Sequence, residues 1–321
     1  MVVHLLLLTV GLAGLTIAAD RFVLGAAQVA ARLQVSTVVT GALIIGFGTS
    51  APELVVSTLA ALTEGAEGTA LAMGNIVGSN LANLTLVLAI PALVYGGVHI
   101  ERGVKRGAGL SASGVTVFAA LLFLAEPSAW WGAVLLILTV VALGVVLRLR
   151  DRFGGVPPPD TTEGSRPWVR TVVGLVGTVG FAYLVVWSAT SIAHDLGWTG
   201  GFVGFALVAV GTSLPELVTS LAAARRGESG LILGNLLGSN LFNALMVGAA
   251  VLLVNGSTPY DKVSGLPDLL LLFMVVVSWG VIGFMVPTRR GAGTIDQREA
   301  AVLIIVYAGL LGWLAANFAT V

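Results

Sequence analysis

A short polar motif, Gly48-Thr-Ser-Ala-Pro-Glu53, interrupts a run from Val35 to Leu62 that is otherwise almost wholly apolar. A second copy, Gly211-Thr-Ser-Leu-Pro-Glu216, interrupts the apolar run from Phe202 to Ala224. Each copy places a carboxylate where hydrocarbon is expected, and its proline removes a helical hydrogen bond. Unwound backbone at membrane depth persists only where protein or a wet cavity receives the freed polar groups. Two broken segments at matching places in two halves are typical of a transporter's binding site.

The composition is that of a membrane protein. Of the 321 residues, 57% are hydrophobic and only 10% are charged, whereas a soluble domain is typically about 25% charged. The mean hydropathy is +0.99, which predicts an all-α polytopic membrane protein. The formal net charge is zero, so nothing indicates a nucleic-acid partner. The absence of cysteine excludes disulfides and thiolate metal sites.

A membrane span needs about 20 apolar residues, and the sequence predicts ten spans. They are 2–30, 36–62, 69–95, 107–125, 129–148, 168–191, 199–223, 230–254, 265–286 and 299–319. The first contains Asp20-Arg21, so either one long helix or a helix ending near residue 20 is compatible with it. The sizeable hydrophilic segment between spans five and six contains Pro157-Pro158-Pro159. We therefore expect a five-helix repeat at 1–148, a linker at 149–167 and a second five-helix repeat at 168–321.

The basic residues predict the orientation. With the N-terminus outside, 15 of the 16 Lys and Arg residues fall in or beside cytoplasmic connections, and Lys262 is the exception. An odd number of spans in each half makes the two halves run in opposite directions, which is the inverted-repeat arrangement of secondary transporters. We therefore expect a plasma-membrane protein with both termini extracellular and the linker 149–167 cytoplasmic.

The repeat is visible in the sequence itself. Gly48–Val55 aligns with Gly211–Val218 at an offset of 163 residues, and Gly74–Asn83 aligns with Gly234–Asn243 at an offset of 160. The polar groups of these motifs are hydroxyls, amides, carboxylates and the carbonyls that a helix break frees. Such hard oxygen ligands suit Ca²⁺ and, by the same logic, Na⁺, and disfavour zinc or copper. Four further amides in the second motif pair could bind either ions or broken-helix backbone: Asn75, Asn80, Asn235 and Asn240.

These paired motifs resemble the α-repeats of the Ca²⁺/cation antiporter superfamily, most closely its prokaryotic sodium/calcium exchangers. The resemblance covers nearly the whole chain, including Asp20–Gly25. It implies ten helices in two inverted halves, cation sites at the midplane, and a first and sixth helix that slide as a pair. The ligands that it implies are Glu53 and Glu216 at the centre, with Thr49, Ser50, Ser79, Asn83, Thr212, Ser213, Ser239 and the carbonyls of Gly46 and Ala209 around them. Asn243, the repeat partner of Asn83, stands where close relatives often carry Asp, and we include it in the candidate set.

The sequence thus predicts a secondary active antiporter that exchanges Na⁺ for Ca²⁺ by alternating access. It needs no cofactor, its partners are the two transported ions and the lipid bilayer, and we expect it to function as a monomer. A proton-coupled cation antiporter is the alternative within transport. An intramembrane enzyme would need a nucleophile, a metal–His cluster or an Asp-rich motif, and none is present. A channel is the third alternative, which only flux measurements distinguish.

Overall fold

The computed structural model describes residues 1–63, 65–100, 104–124, 126, 128–148, 166–195, 211–255, 268–284 and 293–318. The helices up to residue 148 are α1 (Val2–Leu33), α2 (Thr37–Thr40, a π turn at Gly41–Gly46, then Phe47–Thr49), α3 (Ala51–Thr63), α4 (Gly65–Ala82, a π turn at Asn83–Val87, then Leu88–Tyr95), α5 (Val104–Leu124) and α6 (Ala129–Arg148). The later helices are α7 (Pro167–Asp195), α8 (Leu214–Arg225), α9 (Ser229–Phe242, a π turn at Asn243–Val247, then Gly248–Asn255), α10 (Asp268–Phe284) and α11 (Gln297–Phe318).

Within these residues, seven helices are long and apolar enough to cross a membrane: α1, α4 to α7, α9 and α11. α2 and α3 are bent by 40° at their junction, and the count of described spans is eight if this bent pair crosses as one span. The apolar part of α10 is shorter, and the predicted span 199–223 lies partly outside the described residues. The helical membrane fold is therefore confirmed, while the total of ten spans stays a prediction.

The first helix is a single long one, because α1 continues without a break past Asp20. It packs along α7, and glycines allow the two backbones to approach. A Cβ on Gly174 would lie 2.5 Å from the Cα of Phe22, and a Cβ on Gly25 would lie 2.6 Å from the backbone nitrogen of Thr171. Small residues at such contacts are characteristic of tightly packed membrane helices, so α1 and α7 form a closely fitted pair.

A second glycine seam joins α2 to α9. A Cβ on Gly41 would lie 2.6 Å from the Leu231 carbonyl oxygen, and a Cβ on Gly238 would lie 2.5 Å from the Ala42 carbonyl oxygen. Any larger side chain would separate these helices. Because α2 leads into the first polar motif and α9 carries the second-half amides, this seam fixes the distance between the two halves of the candidate site.

The helix breaks follow directly from the prolines. Pro52 and Pro215 are each the second residue of a new helix, α3 and α8, where the missing N–H would have had no intrahelical partner. The π turns of α4 and α9 begin at Asn83 and Asn243, two residues related by the repeat offset of 160. Single π turns inside α-helices often occur at functional sites, and here both fall beside the polar motifs.

Three connections lie at one end of the molecule. The strands β1 (Val98–His99) and β2 (Thr294–Ile295) pair antiparallel and join the segment after α4 to the segment before α11. The backbone N–H of His99 also donates to Ser229 Oγ at 3.2 Å, which brings in the connection between α8 and α9. These three connections, which are among those that the sequence assigns to the cytoplasmic side, are therefore neighbours in space.

Candidate cation site

Two glutamates occupy matching positions at the starts of α3 and α8. Glu53 and Glu216 are each the third residue of their helix, directly after the proline, and both side chains are fully buried. Their carboxyl groups are near enough to interact electrostatically. Neither has an ion-pair partner in the described chain, and no group of three or more Asp, Glu, His or Cys side chains occurs there. Two buried carboxylates without a protein cation are costly unless a cation or protons compensate them.

Two hydroxyl groups lie within hydrogen-bond distance of the Glu216 carboxylate, one at the α2–α3 junction and one on α9. Ser50, at the α2–α3 junction, donates from Oγ to Glu216 Oε1 at 3.0 Å. The Oγ of Ser239 on α9 lies 3.4 Å from the same oxygen and 3.1 Å from the carbonyl oxygen of Gly46. The structure therefore brings Gly46, Ser50, Ser239 and Glu216 together, as expected of candidate ligands.

The hydroxyl of Thr49 lies beside this group. Its Oγ1 is 3.0 Å from the Ile45 carbonyl, 3.4 Å from the Gly46 carbonyl and 3.2 Å from Asn235 Oδ1. One hydroxyl hydrogen can satisfy only one of these acceptors at full strength. The Gly46 carbonyl, which the sequence led us to expect free, also accepts the Ser50 backbone N–H at 3.1 Å. An excess of acceptor oxygens over hydrogens is favourable for a bound cation.

The Glu53 side has few hydrogen bonds. Within the described residues, neither carboxylate oxygen of Glu53 has a hydrogen-bond partner, and the same holds for the Oγ of Ser213. Ser79 and Thr212 approach each other, with their hydroxyl oxygens 3.5 Å apart. Ala209, whose carbonyl is the remaining candidate on this side, lies outside the described residues. This side therefore holds buried oxygens that no protein donor satisfies.

Four fully buried asparagines on α4 and α9 are called the amide cluster here: Asn80, Asn83, Asn240 and Asn243. Asn83 donates from Nδ2 to Asn240 Oδ1 at 3.0 Å, and Asn240 donates to the backbone carbonyl of Asn80 at 3.0 Å. The repeat counterpart of the Asn83–Asn240 bond would join Asn243 to Asn80, and it is not formed. Among the described residues, Asn80 Oδ1, Asn83 Oδ1 and both amide atoms of Asn243 have no hydrogen-bond partner. In the described contacts neither Asn83 nor Asn243 bonds a glutamate, so their role as ligands stays a prediction.

Asn75 and Asn235 bind hydroxyl groups of the two motifs. Asn75 Oδ1 accepts from Thr212 at 3.2 Å while its Nδ2 donates to Ser57 at 3.1 Å. Likewise, Asn235 Oδ1 accepts from Thr49 Oγ1 at 3.2 Å, and Asn235 Nδ2 donates to Ser220 Oγ at 3.2 Å. The sequence left open ions or broken-helix backbone as the partners of these two amides, whereas the bonds observed are mainly to hydroxyl groups.

The residues that the sequence reasoning missed are Ser57 and Ser220. They are related by the offset of 163 that relates the two glutamates, and both are fully or almost fully buried. Extending the aligned motifs by two residues, past Val55 and Val218, would have found them. Both serines are anchors for the asparagine amides.

The chain also matches known proteins over most of its length. The family model described as sodium/calcium exchanger protein matches residues 3–148 and 166–316. The chain belongs to this family. It is 27% identical over 323 residues to the inner membrane protein YrbG of Escherichia coli, covering 96% of this chain and 95% of YrbG. It is 28% identical over 292 residues to the sodium/calcium exchanger MaX1 of Methanosarcina acetivorans, covering 76% and 81%.

The fold agrees with a solved exchanger. The structure of the sodium–calcium exchanger NCX_Mj soaked with Na⁺ and Ca²⁺ superposes with a TM-score of 0.80 at 28% identity, covering 97% of this chain and 98% of that one. This sodium/calcium exchanger family member is thus a multi-pass membrane antiporter for cations, and it is not an enzyme.

Proposed function

We propose that this exchanger moves Ca²⁺ across the plasma membrane in exchange for Na⁺. The observation that carries the proposal is the pair of fully buried glutamates, Glu53 and Glu216, to which no basic residue in the described part of the chain is bonded. MaX1 is named a sodium/calcium exchanger, and NCX_Mj was soaked with both ions. The Thr, Ser, Asn and backbone oxygens supply the hard, neutral ligands that both ions prefer.

Charge balance explains the competition between the two ions. When both glutamates are ionised the centre carries two negative charges, which one Ca²⁺ or two Na⁺ would neutralise. A third Na⁺ would leave excess positive charge in a low-dielectric interior, which is unfavourable. The amides of Asn83 and Asn243 coordinate without adding charge, so the two glutamates supply the negative charge of the site. Ca²⁺ and Na⁺ therefore compete for the same two carboxylates, and departure of one ion allows the other to load.

Alternating access is proposed to arise from movement of α1 and α7 as a pair. Their glycine contacts hold them together, and Gln28 on α1 accepts a hydrogen bond from Arg170 on α7. Leu15, Ala182 and Val185 of the pair form a small hydrophobic cluster that is separate from the main core, and Leu214 and Val218 of α8 also pack against it. A pair that coheres better internally than with its surroundings can shift against the four elements that carry the candidate ligands.

The proposed architecture has ten spans in two inverted repeats, 1–148 and 168–321, joined by a cytoplasmic linker at 149–167. The proximity of three connections at one end supports this layout. Because the native chain has no cysteine, single cysteines can report the topology. Glu126→Cys should be labelled only from outside, and Gln297→Cys only from the cytoplasm. Labelling of both from the same face would contradict the proposed layout.

The test of function is flux in vesicles that contain the purified protein and no other transporter. We expect ⁴⁵Ca uptake when the vesicles are loaded with Na⁺ and diluted into Na⁺-free medium. Replacing internal Na⁺ by K⁺ should abolish the uptake, and protein-free vesicles give the background. A proton gradient should not replace the Na⁺ gradient.

Two results would require another function. Uptake driven by a pH gradient in the absence of Na⁺ would identify the proton-coupled alternative. Uptake that follows the Ca²⁺ gradient alone, at the same rate with and without a counter-ion, would identify a channel. We also expect the protein to function as a monomer. When the vesicles contain on average less than one protein molecule each, the Ca²⁺ uptake per protein molecule should not fall.

A further inference from the structure

We infer that Asn75 and Asn235 are positioning residues, each of which orients a threonine ligand of the opposite half of the site. This inference rests on the proposed function, because it assigns Thr212 and Thr49 to ion binding. Asn75 lies on α4 and holds Thr212 of the second motif, whereas Asn235 lies on α9 and holds Thr49 of the first. The two bonds are repeat-related, and both cross between the halves.

The first relay consists of three residues. Thr212 Oγ1 donates to Asn75 Oδ1 at 3.2 Å, and Asn75 Nδ2 donates to Ser57 Oγ at 3.1 Å. Asn75 is 3% exposed and Ser57 is fully buried, so water is largely excluded from competing for these bonds. Ser57 lies on α3, four residues after Glu53 on the same helix face. The relay therefore links the helix that carries one glutamate to the threonine that lies just before the other.

The second relay repeats this geometry with additional bonds. Thr49 Oγ1 lies 3.2 Å from Asn235 Oδ1, and Asn235 Nδ2 lies 3.2 Å from both Ser220 Oγ and Thr219 Oγ1. The same Nδ2 is 3.4 Å from the carbonyl oxygen of Glu216. Because a carbonyl can only accept, the amide nitrogen must face that side, which fixes Oδ1 toward Thr49.

The orientation matters for a cation. A hydroxyl that donates its hydrogen to an amide oxygen presents its lone pairs on the other side, where a cation can bind them. Without the amide, the hydrogen turns to another acceptor, such as the Ile45 carbonyl oxygen that lies 3.0 Å from Thr49 Oγ1, and the lone pairs of the hydroxyl turn away from the cation position with it. Second-layer hydrogen bonds of this kind commonly orient the groups that bind metal ions directly. Asn75 and Asn235 therefore act on ion affinity through Thr212 and Thr49.

Double-mutant cycles test the inference, because residues that act through one another give non-additive effects. Asn75→Leu and Thr212→Val should each raise the Km for Ca²⁺ about tenfold, as expected for one lost hydrogen bond of ordinary strength. The double variant should be no worse than the worse single one. The pair Asn235→Leu and Thr49→Val should behave in the same way.

The crossed pairs are matched controls. Asn75→Leu combined with Thr49→Val, and Asn235→Leu combined with Thr212→Val, should show multiplied effects on Km because no bond joins these residues. Additive behaviour in the cognate pairs would overturn the inference. Non-additive behaviour in all four pairs would also overturn it, since general disturbance of packing predicts that result.

A milder variant covers the case in which Asn75→Leu does not fold. Ser57→Ala leaves Asn75 in place and removes only its anchor, so it should raise the Km for Ca²⁺ less than Asn75→Leu does. This effect should vanish in a Thr212→Val background, and its persistence there would contradict the relay.

A second readout separates this inference from the proposed function. The cycles are repeated as the rise in unfolding temperature of the detergent-solubilised protein on adding Ca²⁺, which requires binding but no exchange. If wild-type vesicles show no Na⁺-driven uptake, the proposed function fails, while the cycles in thermal stabilisation still test the relays. If uptake is normal and the cognate cycles are additive, only the positioning roles are rejected.

Discussion

The two glutamates are equivalent in sequence but not in their surroundings. Glu216 Oε1 accepts a hydrogen bond from Ser50 at 3.0 Å and lies 3.4 Å from Ser239 Oγ. Among the described residues, Glu216 Oε2, both carboxylate oxygens of Glu53 and the repeat-related hydroxyl of Ser213 have no hydrogen-bond partner. A similar contrast occurs in the amide cluster: in the part of the chain that the structure describes, Asn83 donates through Nδ2 although its Oδ1 has no partner, whereas neither amide atom of Asn243 has one. The duplicated motif thus contains one glutamate whose carboxylate accepts a hydrogen bond from a protein hydroxyl. The charge of the other glutamate depends more on compensation by a bound cation or a proton.

The helices that carry the glutamates differ in the same direction. α8 ends at Arg225, and both Arg225 and Arg226 bond Asp20 of α1, with Arg226 Nη2 2.8 Å from Asp20 Oδ1. α3 ends at Leu62-Thr63, the residues related to these arginines by the offset of 163, and neither can form an ion pair. The Glu216 helix is therefore tied to the α1–α7 pair by charge, and the Glu53 helix has no equivalent tie at this position.

The largest expected effect comes from removing either carboxylate. Glu53→Gln and Glu216→Gln should each abolish Na⁺-driven Ca²⁺ uptake, because one remaining charge cannot compensate a divalent ion in a low-dielectric site. The measurement is ⁴⁵Ca uptake in vesicles. Glu126→Gln, at an exposed glutamate, is the matched control and should transport normally. Normal flux in either buried variant would remove both glutamates from the proposed site.

How far the sequence predicts this site is clear from these residues. The glutamates, their prolines and the repeat partners are predictable, because a polar group in an apolar run has few explanations and the repeat doubles the signal. The unequal bonding of Ser50 and Ser213 is not predictable, because it depends on which atoms of other helices lie within about 3 Å. The π turns at Asn83 and Asn243 are equally hidden. An extra residue shifts the phase of a helix, but the segments that follow are almost uniformly apolar and show no polar face that could reveal the shift.

A serine comparison sharpens the contrast. Ser50→Ala removes a hydrogen bond to a carboxylate, which should lower the free energy of unfolding in the absence of ions by about 2 kcal/mol. The Ser213 hydroxyl has no hydrogen-bond partner among the described residues, so Ser213→Ala should leave this stability nearly unchanged, while raising the Km for Ca²⁺ if its oxygen binds the ion. Thermal unfolding in ion-free detergent and ⁴⁵Ca uptake measure the two effects. Equal losses of stability would show that the two sides are energetically alike.

Replacing Asn243 by an ionisable residue should have a smaller effect. The amide cannot titrate, whereas a buried carboxyl can be protonated or ionised, so Asn243→Asp should make exchange lose activity more steeply at low pH. Ca²⁺ uptake is followed across pH about 6 to 9, the range in which buried carboxyls commonly titrate. Asn243→Ala is the control and should keep the wild-type pH profile. Superimposable profiles in all three proteins would remove both Asn83 and Asn243 from the ligand set.

The smallest expected effect concerns the tie between Asp20 and the two arginines. Asp20 and Arg225 are 28% and 54% exposed, and ion pairs of this kind contribute about 0–1 kcal/mol. Asp20→Asn should therefore change the ratio between the Km values for Ca²⁺ measured from the two faces of the membrane by no more than a few-fold. The reason is that only the Glu216 helix loses its attachment to α1. In an Arg225→Gln, Arg226→Gln background the same substitution should have no further effect. An undiminished effect in that background would mean that Asp20 acts through another contact, and the asymmetry between the two helices would then reside in their hydrogen bonds alone.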